Sequence, residues 1–240
     1  MAWRRRLVLV LAILAGGGGG VAADWRTASR EPIGIAPDPA ATREAVVQVY
    51  AARAWGWRGR FAVHTWIAVK PTDAAAFTVY EVIGWRAYHG LPALAVHRRP
   101  PDGRWFGAAP EILFDLRGAG VDGVIGRIDA VARAYPFADT YRVWPGPNSN
   151  TFTAHVVREV PELVVDLPPT AIGKDYLTSG VVARAPSGTG VQMSVFGLVG
   201  LIVGRREGLE INLLGLVFGL DPDELAIKLP IVGRIGLGGR

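Results

Sequence analysis

Apolar and polar positions alternate with a period of two in four stretches of the first half of the chain. EAVVQVYAARAW (44–55), FAVHTWIAVK (61–70), FTVYEVIGWRAY (77–88) and LAVHRR (94–99) are rich in Val, Ile, Trp and Tyr. Alternation with that enrichment predicts four strands. The short connections between them suit an antiparallel meander. The period then lengthens. In GVDGVIGRIDAVARAYP (120–136), Val121, Ile125, Ile128, Val131 and Ala132 fall on one face of a helix bounded near Asp122 and Pro136. A short strand, YRVW, is expected next. A second helix is expected over about 148–160, stopped by Pro161, which cannot continue the backbone ladder. The loop LPPTAIGKDYL follows, with room for one turn of helix.

After Pro186 the pattern changes. VQMSVFGLVGLIVG and LEINLLGLVFGLD read as two long apolar strands joined by a charged turn, RREG, that contains Gly208. LAIKLPIVGRIG adds a third. Glycines inside these runs predict bulges or close packing. Two readings of this extension stand: a hairpin covering one face of the core, or an apolar surface for lipid or a membrane partner.

The first 23 residues read MAWRRRLVLVLAILAGGGGGVAA. Three arginines, an apolar run and a small-residue end fit a signal peptide cut after Ala23. The uncharged stretch from Leu7 is borderline in length for an uncleaved anchor. The positive-inside rule places the rest outside the cytoplasm in either case, in the periplasm or held at the inner membrane. Residues 24–43 read as a Pro- and Ala-rich linker, 44–180 as the main domain and 181–240 as the β-rich extension.

Composition narrows the chemistry. Of 240 residues, half are hydrophobic and a fifth charged, a globular balance. Arg4, Arg5 and Arg6 in the leader carry three of the five excess positive charges, and no basic run with interleaved aromatics follows. Nucleic acid is therefore not an expected partner. The chain has no cysteine, which removes disulfides, thiolate metal sites and a cysteine nucleophile. His89, His97 and His155 show no metal-ligand spacing, and no dinucleotide fingerprint is present. No cofactor is expected. The tryptophans are expected in the core and at its rim, with sugar stacking as the functional alternative.

One segment is crowded beyond the needs of a turn: WPGPNSNTFTAH (144–155), directly before the second helix. Asn148 or Ser149 can cap that helix. A group at this place also feels the positive end of the helix dipole, and free backbone N–H groups there can hold an oxyanion. His64, in mid-strand, is either a satisfied half-buried imidazole or a general base. Glu81, among apolar residues of the third strand, needs a partner, and on an adjacent strand it can orient His64. Asp102, in PPDGRW, is the rival for that role.

A His-bearing strand, further strands and then a helix opening on Asn148-Ser149-Asn150-Thr151-Phe152 resemble the circularly permuted papain-like fold. The lecithin–retinol acyltransferase-like enzymes and permuted cell-wall endopeptidases share that fold, with cysteine where this chain has Ser149. The resemblance implies an α+β domain, an antiparallel sheet with two helices packed on one side, plus the β-rich extension. It also implies an exported amide or ester hydrolase or acyltransferase. Ser149 would be the nucleophile, His64 the base and Glu81 the orienting group, with Asn148, Asn150, Thr151 and Asp102 in support. A serine cannot be held ionised by a helix end as a thiolate can, so it requires tight alignment with its base. The alternative is an inactive envelope protein that binds a wall, lipid or protein partner through the same groove. The partner in either case is an unidentified small-molecule, lipid or cell-wall ligand, with membrane contact through the N-terminus or the C-terminal strands. GIAPDPA, HTWIAVK, YEVIGWRAY, WPGPNSNTF, AIGKDYL and the glycine-patterned last third also resemble a nearer bacterial family, domain of unknown function 3750. That family implies no established activity.

Overall fold

The computed structural model describes residues 24–236. The leader proposed for residues 1–23 lies outside them. The first sheet has five antiparallel strands: β1 (Val46–Arg53), β2 (Val63–Lys70), β3 (Thr78–Val82), β4 (Leu94–Arg98) and β5 (Glu111–Arg117). Their order is β4-β3-β2-β1-β5. The four strands expected from alternation are all present. The third is shorter than the pattern suggested. It stops at Val82, and Gly84–Tyr88 forms a short helix, α1. Gly84 lies against the Tyr141 ring, where a Cβ would come within 2.5 Å of the ring carbons. Strand β5 was not anticipated. Its alternation is blurred because it lies at the sheet edge and no residue in it is fully buried.

Two longer helices follow, α2 (Val121–Arg133) and α3 (Ser149–Glu159), close to the expected bounds. The YRVW segment between them is irregular rather than a strand. Alternate side chains of β1 and β2 divide between two cores. Val47, Val49, Ile67 and Val69 face α2 and α3 and join Ile128, Phe152, Val156 and Leu163. Val46, Tyr50, Trp66 and Ala68 face the other way, under Trp105 and Phe77. Both faces of the sheet are thus covered, and β2 is buried along its whole length.

The second face is covered from the N-terminal side. Residues 29–36 are docked on the 99–107 loop. Pro32 bridges Gly103, and Asp102 Oδ2 accepts the backbone N–H groups of Ile35 and Ala36. The segment expected as a linker is therefore held along part of its length.

The last quarter forms a second sheet of seven antiparallel strands in simple meander order. They are β6 (Val182–Arg184), β7 (Gly190–Val195), β8 (Val199–Gly204), β9 (Gly208–Leu213), β10 (Leu216–Asp221), β11 (Ala226–Leu229) and β12 (Gly233–Gly236). Each of the two long apolar runs is a hairpin, not a single strand. Gly197 and Gly215 adopt φ of +69° and +84° at the tips, a conformation glycine takes without strain. The residues before them, Phe196 and Leu214, also have positive φ. The glycines expected to mark bulges in long strands thus include two at the turns that end them.

Candidate functional site: a carboxylate–imidazole cluster and a separate helix start

Strand alternation decides the geometry. Odd-numbered residues of β2 face α3, and even-numbered residues face the opposite core. Thr65 therefore meets the start of α3. Its hydroxyl donates to Asn150 Oδ1 at 2.9 Å and lies 2.9 Å from the hydroxyl of Thr153. His64 points the other way. It stacks on Trp105, with ring centroids 3.6 Å apart and planes 8° apart. The expected alignment of Ser149 with His64 is not formed, because a period of two puts neighbours on opposite faces. The two lie on different sides of the sheet.

The crowded segment before α3 has a structural explanation. Asn148 is the N-cap, and its Oδ1 accepts the N–H groups of Asn150 and Thr151 at 3.0 and 3.2 Å. Thr151 Oγ1 receives the Asn148 N–H and closes the capping box. The Asn148 amide donates to the carbonyls of Val143 and Ile172. Asn150 reaches the carbonyls of Val63 and Ile172, and the Thr151 hydroxyl that of Gly173. Three polar side chains, those of Asn148, Asn150 and Thr151, thus bolt the helix start to β2 and to the 170–173 loop. Gly173 is required there, since a Cβ would sit 2.4 Å from the Asn148 amide. Two of the backbone donors at the helix start, the N–H groups of Asn150 and Thr151, are occupied by the cap.

His64 and Glu81 do come together, as the sequence suggested. His64 Nε2 lies 3.1 Å from Glu81 Oε2, both deeply buried. An ionised carboxylate only accepts, so the neutral imidazole presents Nε2–H to it. Two residues missing from the expectation complete the cluster. His97 Nε2 is 2.6 Å from Glu81 Oε1, and Arg99 donates from Nε and Nη2 to the two oxygens. Arg99 also lies over the Trp66 ring, 5.0 Å from its centroid. The signal that could have found His97 is the β3–β4 register. Val79 pairs with His97 and Glu81 with Ala95, so Glu81 and His97 are diagonal neighbours on one face. Asp102, the rival partner of His64, instead holds the N-terminal arm.

Burial and partners set the charges. Desolvation lowers the pKa of His64 and outweighs the pull of Glu81. For Glu81, burial would push the carboxyl up, but hydrogen bonds from His64 and His97 and the Arg99 charge hold it well below its ordinary value. The cluster is an ionised carboxylate with a full set of donors. Among the described residues no group of acidic or imidazole side chains is arranged to hold a metal ion. Arg99 supplies the cation at Glu81. Next to the cluster, a cleft of about 450 Å³ opens between the N-terminal arm and the β4 end, lined by Pro32, Pro37, Phe77, Arg98, Arg99 and Asp102.

A family model described as "Protein of unknown function (DUF3750)" matches residues 44–176, more than half of the chain. The chain belongs to this family. The matched segment contains the whole first sheet, α1 to α3, the Glu81 cluster and the bolted helix start. It ends before β6, so the second sheet lies beyond the family match, where the sequence had suggested a resemblance along most of the chain. No curated protein and no solved structure matches. The architecture of the described residues is the coarser one expected, helices packed on an antiparallel sheet with a β-rich C-terminal part.

Proposed function

We propose that this chain is a non-catalytic binding protein of the cell envelope, not a Ser149–His64 hydrolase. One observation carries the reading. Ser149 and His64 face opposite sides of β2, and the polar groups around each close on one another. A serine hydrolase needs its base within hydrogen-bond reach of the hydroxyl, and the sheet itself intervenes. The cleft beside Arg98 and Arg99 is the ligand site this reading favours. Its volume falls in the range of small-ligand pockets, and its walls are proline-rich, with Phe77 on one side and a guanidinium at the edge. The ligand class is a wall, lipid or protein fragment met outside the cytoplasm, consistent with a leader at residues 1–23. The test is covalent labelling of the purified chain with a fluorophosphonate, which reacts with activated serines. No adduct at Ser149 is expected under conditions that label a control hydrolase fully. An adduct mapped to Ser149 and lost in Ser149→Ala would return the chain to the hydrolases.

A further inference from the structure

The second sheet is inverted relative to an ordinary half-buried sheet. Its inward positions carry Gln192, Ser194, Glu210, Asn212, Asp221 and Lys228. Its outward positions are apolar. Each of β7, β8, β9 and β10 turns three large apolar side chains to solvent, and β11 and β12 add Ile227 and Ile235. These fourteen side chains are 37–56 % exposed. Together they present on the order of 1,000 Å², against the few hundred Å² of a typical monomer's largest patch.

We propose that this face is a self-association surface, on which a second copy of the chain packs sheet to sheet. Three observations select that occupant. The area meets the roughly 800 Å² per partner of a standard stable interface. The composition is that of a β-sandwich core. Val, Leu, Ile, Met and Phe fill the face from β7 to β12 with no charged side chain, while Arg184, Arg205, Arg206 and Asp223 stand at its margin. An apolar centre inside a polar rim is the anatomy of a protein interface. A lipid bilayer fits less well. The sheet has two open edges, β6 and β12, whose unpaired backbone groups hydrocarbon would not satisfy. The face also holds no Trp or Tyr of the kind that anchors proteins at a membrane interface. A groove of about 650 Å³ on the β8–β11 side, lined by Leu209, Leu220, Leu225 and Ile227, gives the partner's side chains a place to interdigitate. A two-fold pair would bring the sheets to about 10 Å separation, with β9, the central strand, near the axis.

The experiment is sedimentation equilibrium of the full chain in detergent-free buffer. A species of twice 25.6 kDa is expected. Ile211, in mid-β9 and 44 % exposed, is the position to disturb. Ile211→Glu sets two carboxylates against each other in a dry interface and is expected to weaken association by at least about 100-fold. Its circular dichroism and a cooperative melt should persist, because the side chain projects to solvent in the single chain, with the midpoint lowered only by the lost association. Since the chain has no cysteine, Ile211→Cys and Leu201→Cys also allow cross-linking with a bismaleimide of about 10 Å reach, matched to packed sheets. Covalent dimers are expected from these and not from Arg86→Cys, which lies on α1 and outside that face. A monomer at 100 μM-order concentration, or an Ile211→Glu chain that dimerises as before, overturns the proposal. So does a monomer that sediments with phosphatidylcholine vesicles and loses that property in Ile211→Glu, which would assign the face to lipid.

Discussion

The two sheets follow the same alternation with opposite sign. In the first, β2 sends apolar residues to both sides, because helices cover one face and the N-terminal arm and 99–107 loop cover the other. In the second, the inner side carries ion pairs, with Ile202, Val217 and Ala226 as its buried apolar residues. Lys174 Nζ meets Glu210 Oε2 at 2.6 Å, and Lys228 Nζ meets Glu210 Oε1 at 2.7 Å and both oxygens of Asp166. Arg158, from α3, bonds to the Lys174 carbonyl and to Gln192. The difference lies in what each sheet packs against. The first lies on helix faces. The second lies on the irregular segment 166–175, whose backbone carbonyls and charged side chains demand polar partners. A polar inner face satisfies them and leaves the apolar residues outside.

The comparison can be broken most severely at Glu210. Glu210→Ala leaves Lys174 without its carboxylate in a site that is 0 % exposed. A loss of about 3–5 kcal/mol is expected by urea denaturation. Its counterpart in the first sheet, Ile67→Ala, should cost about 2–5 kcal/mol through a cavity alone. Exchanging Lys174 and Glu210 together for Met and Leu separates the two mechanisms. It should recover much of the Glu210→Ala loss, whereas no second polar change repairs Ile67→Ala. A Glu210→Ala cost below about 1 kcal/mol would mean that the inner charges do not hold the second sheet.

A smaller effect is expected at Glu81, the centre of an ionised cluster in the first sheet's outer core. His64 is held below its ordinary pKa by burial, and Glu81 well below by its donors. For both groups the folded state binds fewer protons than the unfolded state. Their stabilisation is therefore complete above about pH 6.5 and declines as pH falls through the imidazole and then the carboxylate range. Glu81→Gln should cost about 1–3 kcal/mol at pH 7.5, since it leaves Arg99 and two imidazoles short of an acceptor. Its melting temperature should then change less than the parent's between about pH 4.5 and about pH 3, where the unfolded carboxylate takes up a proton and the folded one does not. A parent curve that rises on acidification would contradict the charge assignment.

The least effect is expected on the outward face. Val203→Thr, measured in the Ile211→Glu background so that association does not enter, should change stability by less than about 0.5 kcal/mol. A larger change would show that this face is already packed within one chain.

Much of the first sheet was legible because its strands carry long, clean alternation and its helices a single apolar face. Strand β5 was not legible, as an edge strand with no fully buried residue shows little contrast. The Glu81–His64 contact could be read from two buried polar residues on adjacent strands. Their wider cluster required the β3–β4 register. The helix start misled for a physical reason. A cap, a bolt between elements and a nucleophile mount all ask for small polar residues before a helix, and only the face of β2 on which His64 lies distinguishes them. The second sheet was readable as apolar strands, but their direction was not. Alternation reports two faces and does not say which one is inside.

Lys174 gives the family boundary a different meaning. It lies two residues before the matched segment ends, yet its ammonium is neutralised by Glu210, thirty-six positions later. The stretch recognised by likeness is thus not a physically closed unit. Cutting the gene after residue 176 would open an electrostatic seam. A relative that lacks the second sheet would need another acid at that spot or a different residue at 174. Searching such relatives for a covarying change at that position would show how the module is inherited, whole or in parts.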